Sequence, residues 1–115
     1  MTPAALETAA LALPRAELSI KWGEDRCYVV GGKMFAATDG ASTNLSLKMT
    51  DIAFEALTES GRGRPAPYMA RARWVMFDSV AKLDAAEVEG WLKTAHGLVA
   101  AKLTRKARAE LGLAV

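Results

Sequence analysis

The sequence is poor in the side chains from which most metal and catalytic sites are built. Its 115 residues contain one cysteine, Cys27, and one histidine, His96. A structural zinc site takes about four nitrogen or sulfur ligands, so this composition excludes one. A single cysteine cannot close an internal disulfide, which is typical of a protein from a reducing compartment. We therefore expect a protein with no metal and no cofactor.

Long apolar runs are also missing. No stretch approaches the roughly 20 apolar residues that cross a membrane. The alanine-rich and leucine-rich start contains Glu7 and has no basic region ahead of it, which is unlike a signal peptide. The length is that of one globular domain with its own core. We expect a single cytoplasmic domain over residues 1–115, monomeric and without a membrane partner.

No nucleophile in the sequence is paired with a base, so we expect no enzymatic activity. Cys27 falls in a predicted strand opposite Ala36, where a small buried core residue is the simpler interpretation. His96 lies at the border of a predicted apolar helix stripe, where a structural role is expected. The acids Glu24 and Asp25 adjoin each other in a predicted solvated turn.

Acidic residues are absent from two segments that are rich in arginine and lysine. The first segment carries Arg62, Arg64, Arg71 and Arg73, and the second carries Lys102, Arg105, Lys106 and Arg108. Residues 1–61 have a net charge of −3 and residues 62–115 a net charge of +5, so the excess charge is concentrated. A basic half of this kind suggests a negatively charged partner.

The order of apolar and polar residues predicts an α+β fold, a sheet of five antiparallel strands backed by helices. The expected strands are Glu17 to Trp22, Arg26 to Val30, Lys33 to Ala37, Leu45 to Met49 and Arg71 to Phe77. Gly31-Gly32 predicts a hairpin between the second and third, because glycine adopts positive φ at both turn positions. The expected register pairs Val30 with Lys33, Val29 with Met34, Tyr28 with Phe35 and Cys27 with Ala36.

Helices are expected where a capping residue precedes an apolar stripe. The expected caps are Thr2, Asp51 and Asp84, and the expected ends lie before Pro14, near Ser60-Gly61 and near Thr104. The last helix is predicted to break because a straight continuation would bring Lys102 and Lys106 onto its apolar stripe. The basic tail beyond the break is expected to point away from the core.

Six blocks of the sequence carry a family resemblance. They are Leu11 to Pro14, Ser19 to Gly23, Val30 to Ala36, Leu45 to Thr50, Ala66-Pro67-Tyr68 with Trp74-Val75, and Leu98 to Leu103. In this order and spacing they resemble the MmcQ/YjbR family over nearly the whole chain. The resemblance implies a fold similar to the frataxin-like CyaY fold, a twisted antiparallel sheet backed by helices. It also implies DNA binding through a double-wing arrangement of hairpins.

The chain departs from the family pattern in two places. Pro14-Arg15 stands where family members often have Pro-Gly, and Ala95-His96 stands where they often have Ser-Tyr. The second departure leaves no tyrosine to which a role could be transferred. The resemblance supplies no catalytic residues.

From charge and resemblance together we expect a sequence-tolerant DNA-binding protein whose two basic segments converge on one face. The predicted phosphate contacts are Lys21, Lys33, Lys48, Arg62, Arg64, Arg71, Arg73, Lys102, Arg105, Lys106 and Arg108. Tyr28 beside Phe35 would let the hairpin wedge at bases. Tyr68 and Trp74 could add stacking surfaces, although Trp74 alternates with Met76 and also fits a core position.

Other interpretations fit the same residues. Lysines at the margins of a sheet also discourage pairing with other strands and are commonly solvated. Alternatively, a small-molecule or protein-binding module would use the sheet face around Lys21, Lys48 and Trp22. A continuous positive surface would favour DNA, whereas an enclosed pocket lined by Trp22, Tyr68 and Lys48 would favour a ligand.

Overall fold

The sheet is the framework that positions every other element of the molecule. The computed structural model describes residues 1–21, 23–67 and 69–113. Within these residues six strands form one antiparallel sheet in the order β1-β2-β3-β4-β6-β5. The strands are β1 (Ala16–Lys21), β2 (Asp25–Val30), β3 (Lys33–Thr38), β4 (Leu45–Lys48), β5 (Arg64–Pro65) and β6 (Trp74–Phe77). The predicted α+β fold is confirmed.

The predicted hairpin joins β2 to β3, with Gly31 at φ 57° and Gly32 at φ 76°. Its register is as expected next to the turn, where Val30 pairs with Lys33 and Val29 with Met34. Beyond that point the prediction is wrong, because a β-bulge shifts the pairing by one residue. Tyr28 pairs with Ala36, and Cys27 pairs with Ala37. The bulge lets consecutive residues of β3, Phe35 and Ala36, both be fully buried.

Four helices are described: α1 (Pro3–Leu11), α2 (Asp51–Glu59), α3 (Ala85–Ala100) and α4 (Arg105–Glu110). Thr2 and Asp84 cap α1 and α3 as predicted, each accepting a backbone N–H three residues on. The predicted break at Thr104 is confirmed, since Thr104 caps α4. The cap of α2 is Thr50 rather than Asp51, which is instead the first helical residue. None of the described helices has the length and apolar character that a membrane crossing requires.

The main core lies between the helices and one face of the sheet. Its strand residues come from β2, β3, β4 and β6, and its helix residues come mainly from α1 and α3. Leu103, just beyond α3, also belongs to this core. Trp74 is buried on the opposite face, where it pairs with Lys48, so its interpretation as a buried strand residue is confirmed.

The edges of the sheet differ from the prediction. The expected strand Arg71 to Phe77 begins only at Trp74, because Ala70–Ala72 forms a 3₁₀ turn and Arg73 takes a left-handed conformation. The short strand β5 is not among the five expected strands, and it completes the sheet beside β6. Proline is tolerated there because an edge strand has no partner on its outer side. In β1, Ile20 is 52% exposed, although the alternation of apolar and polar residues from Glu17 to Trp22 predicts a buried position for it.

We expect a side chain at Gly31 to lower the stability of the protein more than a side chain at Gly32. A β-carbon added at Gly31 would lie 2.7 Å from Cδ1 of Leu103, whereas one at Gly32 would meet nothing within 4 Å. Gly32→Val should lower the free energy of unfolding by about 1 kcal/mol through positive φ alone. Gly31→Val should lower it by about 2 kcal/mol or more, because Leu103 must also move. Denaturant unfolding of both variants measures the difference.

The matched control is Gly90→Ala in α3, where the added methyl group meets no atom within 4 Å. It should leave the unfolding free energy unchanged or raise it by about 1 kcal/mol. Equal losses in the Gly31 and Gly32 variants would contradict the packing of Leu103 against the turn.

Candidate nucleic-acid interface

Arg62 and Arg64 are held by acids from elsewhere in the chain. The guanidinium of Arg62 donates to both carboxylate oxygens of Glu87, at 3.0 and 2.7 Å, and lies 5.7 Å from the ring of Trp91. Its hydrogen bonds lower the pKa of Glu87. Arg64 donates to Asp78 at 2.9 and 3.1 Å. Both arginines therefore have carboxylate partners within the protein.

These two arginines lie far from the second basic segment. Glu87, the partner of Arg62, is in the first turn of α3, whereas Lys102 follows the last turn. A helix of 16 residues is about 24 Å long, so the two charges are at opposite ends of it. The prediction that Arg62 and Arg64 converge with the C-terminal tail is therefore wrong.

Arg73 and Arg71 lie at the other end of β6. Arg73 donates to Asp51 at 2.9 Å and stacks over Phe54, with 5.3 Å between the guanidinium carbon and the ring centre. Arg71 is exposed in the 3₁₀ turn and forms no ion pair with another described residue. Among the four arginines of the first segment, Arg71 is thus the one that has no ion-pair partner in the described part of the chain.

The hairpin turn and the segment after α3 meet at one end of the sheet. Gly31 packs against Leu103, which brings the turn and the exposed Lys33 towards Lys102. Lys48, the last residue of β4, donates to the backbone oxygen of Ala72 at 2.7 Å. Partial burial and then the neighbouring Lys102 lower the pKa of Lys48. Two ammonium groups are therefore held close enough to repel each other.

We call the cations gathered here the hairpin-end cluster. Its members are Lys33, Lys48, Arg71, Lys102, Arg105 and Lys106, the last two in the first turn of α4. No ion pair engages any of these six in the described part of the chain. Asp51 is the acid that acts on Lys48, and its own contact is with Arg73. Within the described residues the cluster is therefore a concentration of cations that have no ion-pair partner.

Lys21 and Arg108 do not belong to the hairpin-end cluster. Lys21 pairs with Asp25 at the start of β2, five residues from the hairpin end at Val30. That separation is about 17 Å along the strand. Arg108 is partly buried, with a buried Nε, so the expectation that the whole tail points away from the core is wrong at this position.

The aromatic wedge expected on the hairpin is absent from its surface. Tyr28 and Phe35 are both fully buried beneath the helices, and burial raises the pKa of Tyr28. Neither ring can reach a base without unfolding the core, so this prediction is wrong. Trp22 and Tyr68, expected to line a ligand pocket with Lys48, lie outside the described residues.

Cys27 and His96 lie on opposite sides of the sheet. Tyr28 faces the helices, so Cys27, the residue before it in β2, faces the other side of the sheet, whereas His96 belongs to α3. Cys27 is fully buried, and burial raises the pKa of its thiol. His96 donates its Nε2–H to the backbone oxygen of Pro14 at 2.7 Å. A cysteine–histidine pair is thus not formed, and the described residues hold no group of three or more metal-ligating side chains.

Sequence reasoning missed the acids that neutralise three of the arginines. Arg62, Arg64 and Arg73 meet partners 25, 14 and 22 residues away in sequence. No local sequence pattern predicts such pairs. Periodicity identifies only neighbours three or four residues apart on a helix, or two residues apart on one face of a strand. An acid-free segment in sequence is therefore not an acid-free surface.

Together these features define a small α+β protein whose antiparallel sheet carries helices on one face and unpaired cations at one end. The sequence model of the YjbR family matches residues 11–98, and the chain belongs to that family. Among solved structures it is similar to the Deinococcus radiodurans protein DR2400, which contains the domain DUF419. The similarity has a TM-score of 0.84 at 25% identity and covers 98% of this chain and 89% of that one. No curated protein matches the sequence significantly.

Because burial protects Cys27 and raises the pKa of its thiol, the native protein should react only slowly with a thiol reagent. Reaction should become fast after denaturation, and Cys27→Ser should be slightly less stable. The rate of reagent release, followed by absorbance with and without denaturant, measures this. A fast reaction of the folded protein would instead reveal an accessible thiolate.

The lowered pKa of Lys48 predicts that its charge does not stabilise the fold. Lys48→Met should unfold with a free energy equal to or above that of the wild type at neutral pH. Because the pKa of Lys48 is lower in the folded protein than in the unfolded chain, the unfolded chain binds more protons than the folded protein. The free energy of unfolding of the wild type therefore rises as the pH rises through the folded pKa of Lys48. The advantage of the variant should therefore shrink in alkaline solution.

Lys33→Met at the exposed hairpin tip removes the same formal charge and is the matched control for the loss of a lysine. Denaturant unfolding at neutral and alkaline pH measures both variants. A Lys48→Met protein that is clearly less stable at neutral pH would contradict the repulsion from Lys102.

Proposed function

We propose that the protein binds DNA through the phosphate backbone, with the hairpin-end cluster as its contact surface. The observation that carries this proposal is the position of Lys48, which donates to Ala72 beside Lys102, while Asp51, the acid that acts on it, is bonded to Arg73. Like charges placed side by side are unfavourable in the free protein and favourable when an anion joins them. A phosphate at this position interacts with both ammonium groups at once.

The composition of the cluster suits a polyanion better than a single small ion. Its six cations come from β3, β4, the 3₁₀ turn before β6, the end of α3 and the start of α4. They extend across one end of the sheet rather than surrounding one point. DNA presents closely spaced charges with condensed counterions, whose release drives binding to such an extended surface.

Binding is sequence-tolerant in this proposal because the cluster has nothing with which to read bases. Tyr28 and Phe35 are buried, and the cluster itself consists of lysines and arginines. Phosphate contacts fix the position of a protein on DNA but carry no sequence information. The DNA-binding role implied by the MmcQ/YjbR resemblance agrees with this proposal.

A ligand-binding role on the sheet face is the second candidate from the sequence. The pocket expected for it involves Trp22 and Tyr68, which lie outside the described residues. Lys48, its third expected member, donates to Ala72 and faces Lys102. The contacts of Lys48 therefore favour the DNA proposal over this candidate.

The salt dependence of binding tests the proposal. Six phosphate contacts predict that log affinity for duplex DNA falls against log salt with a slope of about −5. Replacing Lys33, Lys102 and Arg105 together by glutamine should bring the slope to about −3, because three contacts are lost. Fluorescence anisotropy with labelled duplex and single-stranded DNA over a range of salt concentrations gives both slopes.

The matched control replaces Arg62, Arg64 and Lys82, which are exposed cations remote from the cluster, also by glutamine. It removes the same formal charge and should leave the slope near that of the wild type. Circular dichroism shows that both triple variants remain folded. Equal effects of the two triple variants, or no binding by the wild type at low salt, would refute the hairpin-end cluster as the DNA site.

A further inference from the structure

A pocket of about 400 Å³ opens at the C-terminal end of α3, between the loop after α1 and the helix α4. It is lined by Pro14, His96, Gly97, Ala100, Ala101, Arg108 and Leu113. Its volume is within the range of small-molecule sites, which begins at about 300 Å³. The walls are mostly apolar, and the two exceptions, His96 and Arg108, come from different helices.

Arg108 is the arginine among the described residues that line this pocket, and it forms no ion pair with another described residue. Its Nε is buried and has no hydrogen-bond partner within the described residues. A buried donor of a charged group left unpaired is costly, and native proteins usually satisfy it. The unpaired guanidinium in the wall is therefore the feature of the pocket that suits an anionic ligand.

The C-terminal cap of α4 fixes Arg108 in this position. Gly112, at φ 69°, donates its N–H to Ala109 at 3.1 Å, and Leu113 donates to the oxygen of Arg108 at 2.9 Å. This pair of bonds is a Schellman motif, which turns the chain back over the last helical turn. Leu113 and Arg108 are thereby brought together as neighbours in the same wall.

His96 is the second polar group of the pocket, and its proton position is constrained. Its Nε2 lies 2.7 Å from the oxygen of Pro14, which can only accept, so Nε2 carries the proton. The ring also packs edge-on against Phe35, with 5.4 Å between ring centres. His96 is thus held rigidly and supports the loop that forms the outer wall.

We propose that this pocket binds a small monocarboxylate with an apolar body. The carboxylate pairs with the guanidinium of Arg108, whose planar fork matches its two oxygens. The apolar body occupies the space left by the short side chains at Gly97, Ala100 and Ala101. One lining cation balances one negative charge, so a monoanion fits better than a phosphate dianion. This proposal does not depend on DNA binding.

Benzoate is the probe, and its neutral isostere benzamide is the chemical control. Titration of the ¹⁵N-labelled protein with benzoate should shift the backbone amide signals of Gly97, Ala101 and Leu113. Arg108→Gln should weaken benzoate binding by about tenfold or more, the scale of one charge-assisted contact. Arg105→Gln removes the same charge from an exposed position of α4 and should leave binding unchanged.

Gly97→Leu separates loss of the site from loss of the fold. A β-carbon at Gly97 meets no atom within 4 Å, and leucine is a better helix former than glycine. This variant should therefore remain folded, keep its DNA affinity and lose benzoate binding. Benzamide or inorganic phosphate shifting the same amides as strongly as benzoate would overturn the proposal. So would benzoate binding that survives in both Arg108→Gln and Gly97→Leu.

Discussion

The packing of Leu103 against the hairpin turn is the contact on which the rest of the structure depends. A side chain at Gly31 would collide with Leu103, and Leu111 of the following segment lies against the same glycine. Leu103 is 7% exposed and belongs to the main core. This contact anchors the chain immediately after α3. It therefore determines where Lys102 and the whole of α4 lie relative to the sheet.

Both candidate sites flank this anchor. On one side, Lys102 approaches Lys48, and the first turn of α4 adds Arg105 and Lys106 to the hairpin-end cluster. On the other side, Arg108 and Leu113 form a wall of the pocket beneath the end of α3. The two sites lie at opposite ends of α4: its first turn carries Arg105 and Lys106 of the cluster, and its last turn carries Arg108 of the pocket.

The features that the sequence predicted correctly are those decided by neighbouring residues. The hairpin follows from Gly31-Gly32, and the break before α4 follows from the conflict between Lys102, Lys106 and the apolar stripe. The bulge in β3 was not predictable in this way. It depends on the packing of Phe35 and Ala36 against core residues that are distant in sequence. Local signals specify where an element begins or ends, whereas register along it is decided by packing.

The candidate site was predictable only as a list of cations, since the pairing of each one is a tertiary property. Arg62 and Lys102 both lie in acid-free segments of the sequence, but Glu87 neutralises the first and Lys48 repels the second. Arg108 had a usable signal in Gly112-Leu113, because a glycine after a helix followed by an apolar residue is typical of a Schellman cap. That signal predicts where the helix ends. The pocket beside Arg108 is formed by residues from several elements and is visible only in the tertiary structure.

The shortness of α4 explains why its charges depend on tertiary contacts. An isolated helix of six residues is not stable in water, since helices below about 12 residues are marginal even with favourable sequences. The Thr104 cap, the Schellman motif and the contacts of Ala107 and Leu111 with the core hold it in place. Its basic residues therefore gain their fixed positions from packing that begins at Gly31 and Leu103. If the contact between Gly31 and Leu103 were lost, α4 would lose its fixed position, and with it both the hairpin-end cluster and the pocket. The pairing of the strands does not depend on α4.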